Sequence, residues 1–465
     1  MKDRTWKAAI WNLNWEDLAA GKYNVEGYCQ FSANSGVHLD IPFGDLDLTR
    51  KLEETGFYAH SISEKRYPYI YGLTQDGYRL VICNALSIGS GRSSFGKTYE
   101  TIEASTVLES EHEFDPTSKI SFIEFELEWL RDWLDLTRRF KDQRIINANN
   151  LHNIQIYSSD STEIELCHGT NTLNKSNEGI FVPLVCYFRI KYINGALLDK
   201  AWSNEVQTIQ SFFAFLFGAY PSVKWTTIYY EGNNFPVSLN CASTPEKSRD
   251  NISRLAPISF SNLSIPRLQK LASNWLSLDK EEYHAAEILT SLLINWNMPL
   301  ELQFFAATAM LESLARTYSE DTLSKEEFKV LTNSVSEAIN TIDISDKTII
   351  NRLNGLLGLL KHPSYSMLLD LAYENTKPWS DELIQDWNLF KKEQISFRHS
   401  GAHGTTKHNN NYMIVMYHYQ AQIILAYVLL MKKLEFTDQE IDQFWRSSFM
   451  NVSRWNIKQH YALQK

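Results

Sequence analysis

The chain is most apolar where it reads Met413-Ile414-Val415-Met416-Tyr417-His418-Tyr419-Gln420-Ala421-Gln422-Ile423-Ile424-Leu425-Ala426-Tyr427-Val428-Leu429-Leu430-Met431. This length approaches the roughly 20 residues that an α-helix needs to cross a bilayer. His418, Gln420 and Gln422 lie in the middle of the stretch, however, where lipid would disfavour them. We therefore predict a buried core helix over Lys407–Leu434, and no contact with a membrane.

The sequence around this stretch is helical from about residue 265 to the C-terminus. Apolar residues recur there at intervals of three and four, which is typical of amphipathic helices. Pro299 fits the first turn of one of them. The predicted helices cover Ala285–Trp296, Leu302–Tyr318, Lys325–Ile342, Ile349–Leu360 and Leu383–Phe397.

The first half of the chain has a different pattern, with short runs of β-branched and aromatic residues between Gly, Asn, Asp and Pro. The polar stretch Ser243–Asn251 separates the two halves. We therefore predict an α+β multidomain protein, with a β-rich, sandwich-like region over 1–250 and an all-α region over 265–465. The predicted strands include Tyr69–Gly72, Tyr78–Ile82, Ile154–Tyr157 and Val185–Ile190.

Two local patterns refine the β-rich half. Gln75-Asp76-Gly77 lies between two predicted strands, and Asp-Gly is a strong hairpin signal. Trp129, Trp133 and Leu136 recur at helical spacing, which predicts a helix over Phe122–Phe140.

Composition excludes several classes of protein. The formal net charge is −10, which argues against general coating of nucleic acid but leaves room for one local basic site. The five cysteines show no CxxC spacing, so we expect free thiols, no structural zinc and a cytoplasmic location. The N-terminus lacks an apolar signal core, so export is not expected.

Gly91-Arg92-Ser93-Ser94-Phe95-Gly96-Lys97-Thr98 fits the P-loop template. A P-loop needs a helix that begins directly after it. The residues after Thr98 instead alternate like a strand. We therefore predict a glycine-rich hairpin loop here, with a nucleotide switch at Lys97 as a weaker alternative.

The segment Arg398-His399-Ser400-Gly401-Ala402-His403 precedes the apolar stretch and carries candidate chemistry. Cleavage of RNA without a metal requires a proton carrier and a group that stabilises the phosphorane charge. Histidine serves as the proton carrier near neutral pH, and arginine binds phosphoryl oxygens. Four nearby basic residues would make a local RNA-binding patch: Lys391, Lys392, Lys407 and His408.

The spacing of this motif raises a geometric problem. Five residues on an ideal helix turn about 140° past a full circle, so Arg398 and His403 do not share one helix face. They can converge if the helix ends near Gly401 or Gly404, or across a two-fold dimer. A metal site at His399 and His403 lacks a further ligand nearby, and we predict none. On spacing alone, a surface arginine and a helix-capping histidine is the competing interpretation.

The Arg-x4-His motif before a long apolar helix resembles HEPN domains, which are helical ribonuclease domains of prokaryotic toxins and anti-phage systems. Leu311-Glu312-Ser313-Leu314 is similar to a Leu-Glu-x-Leu segment common in that group. The first half resembles the N-terminal region of ApeA-type anti-phage proteins. Two stretches carry that resemblance, Ile70–Gly77 and Trp129–Leu134.

The resemblance implies an anti-phage, abortive-infection protein that acts as a metal-independent endoribonuclease without a cofactor. It implies that Arg398 and His403 are catalytic, that His399 assists them, and that Glu312 either orients the arginine or forms a structural salt bridge. His399 departs from the Asn or Asp that often follows the arginine in the group. The resemblance further implies a homodimeric site, an RNA substrate with transfer RNA (tRNA) as the first to test, and a trigger such as a phage-derived activator. The alternative is a catalytically idle HEPN module that dimerises or binds RNA or a partner.

Overall fold

The computed structural model describes residues 3–44, 46, 65–92, 98–135, 151–170, 174–176, 179–181, 184–242, 256–294, 298–319, 324–341, 349, 351–352, 356, 362–402 and 412–462. Strands occupy the chain between Arg4 and Cys241, and helices occupy it from Ile265 to His460. The predicted division into a β-rich half and an all-helical half is therefore confirmed.

The strands of the first half are antiparallel. Their bounds are β1 Arg4–Asn12, β2 Val25–Ser32, β3 Gly36–Ile41, β4 Arg66–Leu73, β5 Arg79–Arg92, β6 Thr98–Ala104, β7 Thr106–Ser110, β8 Ile120–Leu127, β9 Leu151–Ser158, β10 Thr162–Thr170, β11 Asn174–Ser176, β12 Gly179–Phe181, β13 Leu184–Ala196, β14 Val223–Tyr230 and β15 Val237–Cys241. Thirteen of them form one continuous sheet, and β11 and β12 form a separate two-stranded sheet.

Six strands of the large sheet close into a barrel. The order β4-β1-β2-β3-β6-β5 is completed by a further pairing of β4 with β5. The predicted Asp76-Gly77 hairpin joins β4 to β5, and Gly77 has the positive φ of +87° that this turn requires. The barrel interior is filled by apolar side chains, among them Trp11, Phe31 and Ile102.

The sheet continues beyond the barrel in the order β7-β15-β14-β8-β13-β10-β9. Strand β8 occupies the first part of the predicted helix Phe122–Phe140, so that prediction was wrong. Ile123, Phe125 and Leu127 alternate as buried residues of β8. Among the described residues of this segment, helix is confined to the single turn α2, Leu130–Trp133, which Trp129 precedes as the N-cap, and Leu136 lies outside the described residues. Two-residue periodicity, supported by pairing with β13 and β14, outweighed the helical spacing of the tryptophans.

The bounds of the remaining helices, in chain order, are α1 Trp15–Ala19, α3 Leu198–Lys200, α4 Gln207–Phe217, α5 Ile265–Leu276, α6 Lys280–Ile294, α7 Leu300–Arg316, α8 Lys325–Thr341, α9 Tyr365–Asn375, α10 Trp379–Leu383, α11 Trp387–Ala402, α12 Tyr412–Lys433, α13 Asp438–Arg446 and α14 Asn451–His460. Among these helices, α6, α7, α8, α11 and α12 correspond to predicted helices, and the others were not predicted. A π-helix, Ala201–Val206, precedes α4. Pro299 is the N-cap of α7, so it lies at the start of a helix as predicted. Most of the predicted helix Ile349–Leu360 lies outside the described residues.

Helix α12 is the core helix that the apolar stretch predicted. It has the length and hydropathy of a membrane span, but 67% of its most apolar window is buried inside the protein. Every residue from Ala421 to Met431 is buried, on all sides of the helix. This burial is typical of the central helix of a bundle.

The chain divides into two compact units. The first comprises residues 1–210, 221–253 and 263–269, and the second comprises 211–220, 254–262 and 270–465. The helical unit therefore includes residues 211–220, which precede the polar stretch 243–251 in the sequence. Phe215 of this segment stacks on Tyr427 of α12, with ring centroids 5.0 Å apart, and also packs against Trp275.

Candidate functional site

Arg398 lies on α11 and is held by a carboxylate of α7. Its Nη2 atom donates a hydrogen bond to Oε2 of Glu312 at 3.0 Å. The other carboxylate oxygen of Glu312 accepts a hydrogen bond from Arg316 at 3.0 Å. The side chain of Arg398 is 38% exposed, so solvent still reaches it. The contact that the family resemblance implied between Glu312 and Arg398 is therefore present.

A second residue, Tyr365 of α9, contacts the same guanidinium group. The Cζ atom of Arg398 lies 4.2 Å from the centroid of the Tyr365 ring, which is a cation–π geometry. Burial raises the pKa of the Tyr365 hydroxyl to about 12, so this group stays protonated at neutral pH. Sequence reasoning missed Tyr365, because nothing near it in the chain marks it as a neighbour of Arg398.

A buried polar network lies next to Arg398, one helical turn earlier on α11. Gln394, which has no exposed surface, donates from Nε2 to the hydroxyl oxygens of Tyr365 at 2.8 Å and Thr308 at 3.3 Å. Its Oε1 accepts a hydrogen bond from Gln422 of α12 at 3.1 Å. Gln394 precedes Arg398 by one helical turn, so both side chains lie on the same face of α11. The network ties that face to α7, α9 and α12.

The next face of α11 packs against α12 and the last turn of the chain. Glu393 Oε2 lies 3.3 Å from Nε2 of the fully buried His418 and accepts a hydrogen bond from Tyr461 at 2.8 Å. Burial lowers the pKa of His418, and hydrogen bonding to His418 lowers the pKa of Glu393. These contacts fix the rotation of α11 about its axis.

The two described lysines of the predicted basic patch differ in their surroundings. Lys391 binds Asp370 of α9 and is largely buried, with 23% of its side chain exposed. Lys392, the next residue, is exposed to solvent. Consecutive residues are about 100° apart around a helix, so the two side chains point to different sides of α11.

His399 is exposed at the last described turn of α11. Its position is about 100° around the helix from Arg398, on the same solvent side as Lys392. His403, Lys407 and His408 lie outside the described residues. Within the described ranges, no three His, Cys, Asp or Glu side chains are grouped as a metal site.

The P-loop-like segment joins two paired strands. Gly91 pairs with Tyr99, and Arg92 with Thr98, in an antiparallel ladder between β5 and β6. Lys97 lies outside the described residues, but the chain is already in a strand at Thr98, where a P-loop requires a helix. The hairpin interpretation is therefore confirmed.

The cysteines are free thiols, as predicted. Four of the five are buried, and burial raises the pKa of each thiol above its usual value. Cys241 is only partly accessible, and its pKa is raised to about 11 by burial. A thiol with a raised pKa is a poor nucleophile, so these residues carry no evident chemistry.

Comparison with known proteins gave one family. The family model of the ApeA N-terminal domain 1 matches residues 7–275, which is more than half of the chain. The match covers nearly the whole sheet and extends into helix α5 of the helical region. No curated protein and no solved structure matches the chain.

Proposed function

The chain belongs to the family defined by the ApeA N-terminal domain 1, and from this premise we propose that it is an anti-phage endoribonuclease. Membership of the family indicates the defence role. The nuclease activity is assigned to the helical region, whose Arg398-x4-His403 motif resembles that of HEPN domains. RNA is the substrate, and tRNA is the first to test.

The observation that carries this proposal is the state of Arg398. Its guanidinium is oriented by Glu312 and Tyr365 and yet remains 38% exposed. A preorganised, accessible arginine can stabilise charge on a phosphorane without rearranging during the reaction. Surface arginines that serve only solubility have no need of such support.

The proposed reaction is an attack by the 2′-hydroxyl of the RNA on the neighbouring phosphorus. The bond from O2′ to phosphorus forms and the bond from phosphorus to O5′ breaks, leaving a 2′,3′-cyclic phosphate and a 5′-hydroxyl. His403 carries a proton away from O2′ or toward O5′, and Arg398 binds the phosphoryl oxygens. His399 and Lys392, both exposed on the same side of α11, bind neighbouring phosphates.

The helix geometry supports assembly of the site in a homodimer. Arg398 faces α7 and α9, whereas a continued α11 would place residue 403 about 140° away, on the solvent side. A second copy of the chain can bring its histidine to this arginine. The β-rich half is the proposed sensor of a phage-derived activator.

The deciding experiment compares Arg398→Ala and His403→Ala with wild type during phage infection, by sequencing RNA ends. Arg446→Ala and His284→Ala are the matched controls, because both residues are exposed in the same helical unit. We expect cleavage with cyclic phosphate ends in wild type and both controls, and none in the two site variants. Cleavage in both site variants would refute the mechanism, as would a strict requirement for magnesium in purified reactions.

The competing hypothesis is an idle HEPN module. The ion pair between Arg398 and Glu312 would then be a structural clasp between α11 and α7. Binding of RNA by activated wild-type protein without any cleavage would favour this second function.

A further inference from the structure

Three side chains from three helices meet at one guanidinium group. Arg398 comes from α11, Glu312 from α7 and Tyr365 from α9. Glu312 binds an N–H edge of the guanidinium, and Cζ of the guanidinium lies over the Tyr365 ring, 4.2 Å from its centroid. We propose that Tyr365 is a positioning residue of the ribonuclease site, whose ring fixes the plane in which Arg398 presents its remaining N–H groups to the substrate phosphate. This inference rests on the proposed function.

The Tyr365 ring is itself fixed at both ends. Its hydroxyl oxygen accepts the hydrogen bond from Gln394, which is buried in the network with Thr308 and Gln422. Tyr365 is also the first residue of α9. It directly follows the N-cap Ser364, whose side chain accepts a hydrogen bond from the backbone amide of Met367. A ring held in this way can act as a rigid platform.

The chemistry of arginine explains why a platform matters. A guanidinium group is planar and carries five N–H donors in its plane, so the direction of every donor depends on the orientation of that plane. One carboxylate contact leaves the group free to rotate about the contact. A ring against its face removes this freedom, and the donors that Glu312 leaves unused then point in one direction. Phosphate recognition by arginine depends on this geometry.

Tyr365 has no role as a proton carrier in this scheme. Its hydroxyl is engaged with Gln394 and keeps its proton at neutral pH, because burial raises its pKa to about 12. The ring, and not the hydroxyl, is therefore the part that acts on Arg398.

The test uses the full chain and compares three tyrosine variants. Tyr365→Leu removes the ring, and Tyr365→Phe keeps the ring but removes the hydroxyl. Tyr373→Leu is the matched control, because it removes a ring from the same helix where that ring stacks on Trp387, 4.4 Å away. One readout is the NMR resonance of the Arg398 Nε–H group in protein labelled at arginine, assigned with Arg398→Lys. The other is kcat and KM for cleavage of bacterial tRNA.

Because Arg398 lies over the Tyr365 ring, we expect the ring current to shift the Arg398 resonance upfield in wild type. We expect this shift to persist in Tyr365→Phe and Tyr373→Leu and to disappear in Tyr365→Leu. We expect kcat to fall about tenfold in Tyr365→Leu with little change in KM, and to recover in Tyr365→Phe.

Two results overturn the inference. The first is an unchanged Arg398 resonance in Tyr365→Leu, which needs no activity to be observed. The second is wild-type kcat in Tyr365→Leu when Arg398→Ala is inactive, a result that leaves the proposed function intact. Full activity of Arg398→Ala would instead count against the proposed function itself.

Discussion

Glu312 bridges Arg316 and Arg398, with one carboxylate oxygen 3.0 Å from each guanidinium. Arg316 lies one turn further along the same helix, whereas Arg398 comes from α11. The Glu312 carboxylate is thus bound by Arg316 of its own helix, α7, and in turn binds Arg398 of α11. Since Arg316 and Arg398 are both more than one-third exposed, we expect this bridge to contribute to orientation more than to stability.

Glu312→Gln should lower kcat for RNA cleavage about tenfold, equivalent to ~1.4 kcal/mol, because the neutral amide orients Arg398 less firmly. The melting temperature should change little. Glu301→Gln, an exposed position on the same helix, is the control for a change of charge alone. Equal activity of the two variants would show that Glu312 does not orient the arginine.

Gln394→Leu should destabilise the protein by about 1–3 kcal/mol, because it leaves the amide of Gln422 and the hydroxyl of Tyr365 without their buried partner. Urea denaturation measures this loss. Gln459→Leu on α14, where the side chain is exposed, should cost far less. If both substitutions cost the same, the buried network does not stabilise the helical unit.

Stability should decrease below about pH 6.5 because of His418. Its pKa is lowered in the folded protein, so the unfolded chain binds a proton at higher pH than the folded one does. The stability that neutral His418 contributes is therefore complete above 6.5, the ordinary pKa of a histidine, and is lost as the pH falls toward the lower folded pKa. The slope for one such group is at most about 1.4 kcal/mol per pH unit.

His418→Phe should flatten this part of the pH profile of the unfolding free energy. His284→Phe, at an exposed histidine of α6, is the control substitution. The lowered pKa of Glu393 adds a loss at still lower pH, below the ordinary glutamate pKa of 4.5. An identical slope in wild type and His418→Phe would exclude His418 as the source.

Gly72→Ala should destabilise the barrel by about 1–3 kcal/mol. A Cβ atom at Gly72 would lie 2.4 Å from the ring of Trp11, which is fully buried. Gly89→Ala in the neighbouring strand β5 is the matched control, since its nearest neighbour would be Cβ of Thr101 at 3.9 Å. Equal unfolding midpoints for the two variants in urea would contradict the predicted clash.

The parts of the fold that sequence predicted are those with strong local signals. The apolar residues of α12 exclude nearly every structure except a buried helix, and Asp76-Gly77 favours one kind of turn. The predicted helix at Phe122–Phe140 failed for the opposite reason. Strand β8 is stabilised by β13 and β14, which are distant in sequence, and no local pattern reports such partners. Closure of the barrel through β4 and β5 depends on strands that no local pattern assigns to one another.

The candidate site shows the same limit. The contact between Glu312 and Arg398 was expected because a family resemblance placed both residues. The family resemblance pointed to neither Tyr365 nor Gln394, and their roles follow only from the packing of α7, α9 and α11. Gln394 offered one weak signal, a position one turn before Arg398 on the same helix face.

The packing of Phe215 against Tyr427 and Trp275 has a consequence for how this protein can be dissected or recombined. A fragment that begins at residue 265 would lack an aromatic side chain from its own core, leaving a hole beside the central helix. A graft of the helical region onto another domain would therefore have to include residues 211–220, although they are encoded upstream of the polar stretch. A single cut in the gene therefore cannot separate the helical unit intact from the β-rich one.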